Sequence, residues 1–298
     1  MYNKSGIKTD LMLLERYLSI KQTPVIEKNK ITKFKCADEV YPYTNEPLSL
    51  YYDKNLDNKK VLTVTSSCDH ALHAALAGAL DITCFDINRF CKYYAGLKIA
   101  MIKKYDYDEY LKKIEDLIFW LTEYEWDKDA SKVRDFAFMI FDLFSYLTDD
   151  EKAFFQTFIR TANEDGLKNR FLTLLFLDKD PFEMVNNNAY LVPDNYYKLK
   201  ENLNYCNFKY IDSNVNKLRN KKLGKFDVIY LSNILSTLYK DDSKLLIYLS
   251  KLLNDEGIIY DCAWQVNDYV FSSKVKKYYD SNSIELKDGH VITTFFKK

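Results

Sequence analysis

Between a β-branched run, Val61-Leu62-Thr63-Val64-Thr65, and a small-residue stretch that begins at Ala71 lies the segment Ser66-Ser67-Cys68-Asp69-His70. It gathers hydroxyl, thiol, carboxylate and imidazole groups where a strand turns into a helix, the place where backbone N–H groups are offered to a ligand. Asp69 and His70 are each candidates for a general base, and Asp69 reads equally well as a plain helix cap. His70 and His73 share one helix face at a spacing that suits a metal, but no third ligand has matching spacing, so no metal is expected and ordinary helix positions are the better reading. A second acid, Asp86, closes the apolar run Ile82-Thr83-Cys84-Phe85. At the end of such a strand a carboxylate can accept hydrogen bonds from both hydroxyls of a ribose; the plainer reading is an acid favoured by the following helix N-terminus. The first loop holds no glycine, so the G-x-G-x-x-G fingerprint is missing and a diphosphate-free nucleoside fits better than a dinucleotide.

The elements that must position these groups alternate in kind. Val61 to Thr65 and Ile82 to Phe85 read as buried strands, separated by a small-residue helix from Ala71 to Leu80, and Asn88 caps a following helix through Tyr93, Leu97 and Met101. From Asp106 to about Asn188 the apolar residues recur at helical spacing, among them Leu111, Ile114, Leu117, Ile118 and Leu121. Trp120, Trp126, Phe136, Phe138, Phe141 and Phe144 belong to that pattern and read as its core. After Pro193 come a helix from Tyr196 to Leu203, strands at Phe208 to Ile211 and Phe226 to Leu231, a helix from Lys244 to Leu253 and a strand from Gly257 to Trp264. Ile284 to Leu286 and Val291 to Phe296, around Asp288-Gly289, form a terminal hairpin. The expected fold class is therefore α/β: a Rossmann-like, doubly wound, mostly parallel sheet with a terminal antiparallel hairpin and a helical insertion. Three parts are expected: a lead-in at 1–58, with an amphipathic segment from Leu11 to Ile20 and prolines at 24, 42 and 47, a core at 59–105 and 189–298, and an inserted lid at 106–188.

Composition narrows the partners. With 43 Lys plus Arg against 43 Asp plus Glu the net charge is zero, which argues against nucleic acid as the main partner. Lys103-Lys104 and Lys221-Lys222 read as solvated surface with a minor option of lipid headgroup contact. The 25 tyrosines beside 7 glycines carry no functional weight as a class. Six cysteines without a C-x-x-C pair signal neither zinc nor disulfides and fit a reducing cytoplasm. No secretory leader or transmembrane run stands out, so a cytoplasmic protein with at most peripheral membrane contact is expected.

The run from Val61 to Leu72, then Phe85-Asp86-Ile87-Asn88, then Leu97 to Ile102, resembles bacterial proteins related to the betaine-lipid enzyme that moves a 3-amino-3-carboxypropyl group from S-adenosylmethionine to diacylglycerol. Phe226 to Ile234 resembles that family's downstream strand, and the likeness covers the α/β two thirds of the chain. It departs at Cys68, where relatives commonly keep glycine. Against a methyltransferase pattern of the V-L-D-V-G-x-G-x-G kind, Thr65, Ser67 and Asp69 replace all three glycines, which favours the aminocarboxypropyl branch. The resemblance implies S-adenosylmethionine as cofactor, with Thr65, Ser66, Ser67, Asp69, Asp86, Ile87, Asp212 and Ser232 around it. Asp212 would accept from the adenine amino group, or simply form a turn. Ser232 and Asn233, with Asp69, would stand near the reacting centre, and a small-molecule or lipid acceptor is implied. Methyl transfer is the second enzymatic option, and a non-catalytic binding module the option from another class.

Overall fold

The computed structural model describes residues 39–52, 55–122, 130–164, 173–174, 187–237, 243–263, 274–287 and 289–298. The expected amphipathic segment Leu11 to Ile20, Pro24, Trp126 and Asp288 lie outside these. Seven strands form one sheet: β1 (Lys60–Val64), β2 (Asp81–Asp86), β3 (Asn207–Asp212), β4 (Phe226–Tyr230), β5 (Leu253–Ala263), β6 (Tyr279–Glu285) and β7 (Val291–Lys297). The described helices are α1 (Asp69–Leu76), α2 (Cys91–Lys104), α3 (Tyr107–Thr122), α4 (Ala130–Asp142), α5 (Asp149–Glu164), α6 (Pro193–Asn202) and α7 (Ser243–Leu252), besides single turns. None of them is long and apolar enough to cross a membrane.

The strand order is β3-β2-β1-β4-β5-β7-β6. The first five strands run parallel, and β7 pairs antiparallel with both β5 and β6. This is a Rossmann-like, doubly wound α/β sheet that closes on an antiparallel pair. The chain starts in the middle, at β1, winds outward to β3, then crosses back to β4. The order therefore reverses between β1 and β4, and sheets of this kind take their ligands outside the carboxyl ends of the strands at such a switch point.

The central strands β1, β2 and β4 form because their apolar residues are buried between layers, whereas the edge strand β3 alternates with solvent. Leu62, Phe85, Ile229, Ile259 and Phe295 pack with Leu246 and Leu249 of α7 in one continuous core. β5 begins at Leu253, earlier than Gly257, because it follows α7 directly; α1 stops at Leu76 rather than Leu80. Gly78 adopts φ +103, a left-handed step that turns the chain out of α1, and a Cβ there would collide with Asp57.

By contact density the chain divides into two compact units, Tyr41–Ala95 with Leu177–Lys298, and Met1–Val40 with Gly96–Phe176. The first holds the sheet. In the second, Phe136 meets Trp120, Phe155 and Phe158 edge to face at 5.6–6.4 Å, so aromatic packing builds this core. Phe138 is 41% exposed and lies off that core. The expected helical run is also interrupted: Thr173–Leu174 forms a short parallel ladder with Glu39–Val40.

Candidate functional site

β1 ends at Val64, and the Thr65 N–H still pairs with the Phe85 carbonyl at 2.9 Å. The chain then turns tightly, with the Cys68 N–H donating to the Thr65 carbonyl at 2.7 Å. Two residues of this turn, Ser66 (φ 42) and Cys68 (φ 73), are left-handed. Side chains other than glycine pay about 1–2 kcal/mol each for that conformation, so the surroundings must hold it. Two carboxylates do so. Asp86 Oδ2 accepts from the Ser66 N–H at 2.9 Å, and Asp69 Oδ2 accepts from the Ser67 hydroxyl at 2.8 Å. The left-handed positions are thus 66 and 68, not 65, 67 and 69, and Cys68 stands where the resemblance placed a glycine.

Asp86 closes β2 and ties two loops together, because its Oδ1 accepts from the Asn88 N–H at 2.9 Å. Burial pushes this carboxyl above the ordinary aspartate value of 3.8, and the N–H groups of Asn88 and Ser66 pull it part of the way back. Asp212 closes β3 in register with Asp86, and is exposed. Ile87 is half-buried beside them.

Asp69 is fully buried, and its oxygens are already engaged. Besides Ser67 it accepts from the Thr44 N–H at 2.6 Å and from the Tyr190 hydroxyl at 2.5 Å. It therefore welds the first loop to two distant segments. Of the two histidines, His73 Nε2 accepts from the Ala189 N–H at 3.2 Å, and the His70 backbone carbonyl accepts from the Tyr52 hydroxyl at 2.5 Å.

The group that the sequence did not reveal is Glu46. It is 4% exposed, and its carboxylate accepts from the Tyr51 hydroxyl at 2.5 Å and from the Ser232 hydroxyl, while His70 Nε2 stands 3.4 Å away. Burial alone would raise this carboxyl, but the nearby His70 ring and the Ser232 and Tyr51 hydroxyls outweigh it and hold it below the ordinary 4.5. The same burial, with the Glu46 charge, drives the Tyr51 hydroxyl well above 10.0. Both ring nitrogens of His70 are buried, and neither has a hydrogen-bond partner among the described residues. Ser232 follows β4 in a left-handed conformation (φ 56), and Asn233 beside it is exposed. A flat stack of three rings lies next to this turn: Tyr230 faces Tyr52 at 3.7 Å and Tyr260 at 5.0 Å. No pattern near Glu46 announces this role, since its contact with Ser232 spans 186 positions.

The predicted residues thus fall into two groups at the carboxyl edge. Thr65 to Asp69 follow β1 and Ser232-Asn233 follow β4, on the two sides of the switch point, while Asp86 and Asp212 end the strands beyond β1 and Ile87 follows Asp86. Asp86 touches the first loop directly, and Glu46 links Ser232 to His70 of α1. Asn233 and Asp212 stand exposed on that edge.

No family model and no curated protein matches the chain. Solved structures with similar backbones include a protein of Streptococcus mutans described as a SAM-dependent methyltransferase (TM-score 0.37, 11% identity, 82% of this chain and 46% of that one). An rRNA methylase of Streptococcus thermophilus (0.39, 7%, 85% and 96%) and an rRNA methyltransferase of Streptomyces viridochromogenes (0.41, 8%, 91% and 93%) are two more. The chain spans about half the length of the first, and at these values the likenesses concern the fold alone. They do correct one expectation. The balanced charge was taken to argue against nucleic acid, yet two of these neighbours are by description rRNA-modifying proteins, so that exclusion is withdrawn.

Proposed function

We propose that the protein binds S-adenosylmethionine at the carboxyl edge of its sheet and transfers one of the cofactor's alkyl groups to a second substrate. The observation that carries this reading is the largely buried Asp86 carboxylate that closes β2 next to the switch point, held by the Ser66 N–H of the first loop and the Asn88 N–H. These residues fit a nucleoside. Asp86 would take the ribose hydroxyls, Asp212 the adenine amino group, and Ile87 the flat face of the base. Asp69 and Ser67, turned toward each other and buried, shape the loop from behind rather than meet the ligand. Glu46, buried and bonded to Ser232, would hold the turn after β4 in place in the same way.

The cofactor brings a carbon already activated by positive sulfur, so the chain's task is positioning and exclusion of water, with no covalent nucleophile. Which carbon is attacked depends on how the cofactor is turned. The sequence resemblance favours the aminocarboxypropyl carbon, with a small-molecule or lipid acceptor; methyl transfer is the second reading. The helices between Tyr107 and Glu164 are proposed to select the acceptor, and a cytoplasmic setting belongs to the same proposal. Incubation with S-adenosylmethionine and extracts of candidate acceptors, followed by mass spectrometry, tests it: methylthioadenosine supports aminocarboxypropyl transfer and S-adenosylhomocysteine supports methyl transfer. The appearance of neither, with no cofactor binding, contradicts both.

A further inference from the structure

One face of the same strands, from their amino-terminal end along to Ile211, is built differently. Lys60 opens β1, Asp81 opens β2, and Lys209 of β3 stands in register with Thr83 of β2. Parallel strands are usually joined by a helix that covers one face of the sheet. Between β3 and β4 the chain instead makes only a short 3-10 turn, Val215–Asn220. A cavity of about 390 Å3 lies at this place. That size is typical of sites for small ligands.

Its lining is polarised. Ile211 and Phe226 give it an apolar part, while Lys60, Lys209, Lys222 and Lys225 surround it. A single lining carboxylate, Asp81, answers them, at 3.1 Å from Lys209 and 4.0 Å from Lys60. Lys225 Nζ donates to the Leu253 carbonyl at 3.0 Å, a bond that leaves its charge unneutralised. Lys222 is exposed and makes no hydrogen bond or ion pair with a described residue. The chain between Ser213 and Phe226 carries Lys217, Arg219, Lys221, Lys222 and Lys225 with no acid, in a protein whose net charge is zero. Charge has been sorted onto this face rather than inherited from a basic composition. A concave, low-dielectric wall focuses such a field and raises the local concentration of anions.

We propose that this cavity binds a small phosphorylated molecule of nucleotide size, its phosphate among the ammonium groups and its apolar part against Ile211 and Phe226. Four lysines against one aspartate leave a surplus that a dianionic phosphate or a pyrophosphate meets and a single carboxylate does not. Lysine serves such groups as a point charge. The site is separate from the carboxyl edge and does not rest on the cofactor reading.

The test is calorimetric titration of the full chain with inorganic pyrophosphate and, separately, with adenosine 5′-monophosphate. It compares wild type, the double variant Lys209→Gln/Lys222→Gln and the control Lys251→Gln on α7, with denaturant unfolding to confirm that all three fold. Saturable binding that weakens at least about tenfold in the double variant and not in the control supports the site. The absence of saturable binding by either probe overturns it, as does an equal loss in the control. An oligoribonucleotide that binds when neither probe does would overturn it in favour of an RNA-docking face.

Discussion

The two ends of the parallel strands hold polar groups on opposite principles. At the carboxyl end the acids Glu46 and Asp69 are buried and saturated by the chain itself: hydroxyls of Tyr51, Ser67, Tyr190 and Ser232 and the Thr44 N–H all point at them. At the amino end the lysines are solvent-facing, and a single lining acid partly answers them. Internal saturation fixes geometry and costs stability when broken, whereas exposed surplus charge costs little to remove and is available to a ligand. The first end is built to position, the second to attract.

The sharpest way to break this contrast is at Glu46. Glu46→Ala leaves the His70 imidazole and the hydroxyls of Tyr51 and Ser232 without their shared partner, and unfolding in urea should show a loss of about 3–5 kcal/mol. A loss no larger than that of an exposed glutamate would show that the network contributes nothing. Next in size, Asp86→Ala should weaken S-adenosylmethionine binding by about 10–100-fold in a folded protein, the range for a hydrogen bond to a charged group. Unchanged affinity would remove the ribose assignment.

The pH dependence of the Glu46 effect has a definite sign. Its carboxyl lies below the ordinary 4.5 in the folded chain, so its contribution is fully present above that value and is lost as pH falls through the folded value. The stability gap between wild type and Glu46→Ala should therefore be wide at neutral pH and narrow below 4.5, as followed by urea midpoints. A gap that widens on acidification would reverse the assignment. The smallest effect is expected at Cys68. Because its φ of 73 suits glycine, Cys68→Gly should change stability by no more than about 1 kcal/mol, while Cys68→Val should cost about 2 kcal/mol. Equal losses in the two would show that side-chain packing, not backbone conformation, governs this position.

Much of the sheet is legible in the sequence because parallel strands buried on both faces write themselves as apolar runs, as Val61 to Val64 and Phe226 to Leu231 do. The acid closing β2 is legible for the same reason, since the run ends visibly at Asp86. Glu46 and Tyr190 are not. Each is a lone polar residue outside any apolar periodic run, and each is tied to a partner more than a hundred positions away. The state of Asp69 is hidden likewise: its type and place suit a helix cap and a ligand contact equally, and only the fold shows its oxygens turned to Thr44, Ser67 and Tyr190. The lysine-lined cavity is written half in sequence, as the acid-free stretch from Ser213 to Phe226, and half in topology, as a crossover with a 3-10 turn where a helix is usual.

The most direct test of the central claim is calorimetric titration of the full chain with S-adenosylmethionine, with Asp86→Ala as the paired variant. The account predicts saturable binding to the wild type that is lost or strongly weakened in the variant. A folded wild-type protein that binds no S-adenosylmethionine would contradict it and leave the sheet as a binding module for something else.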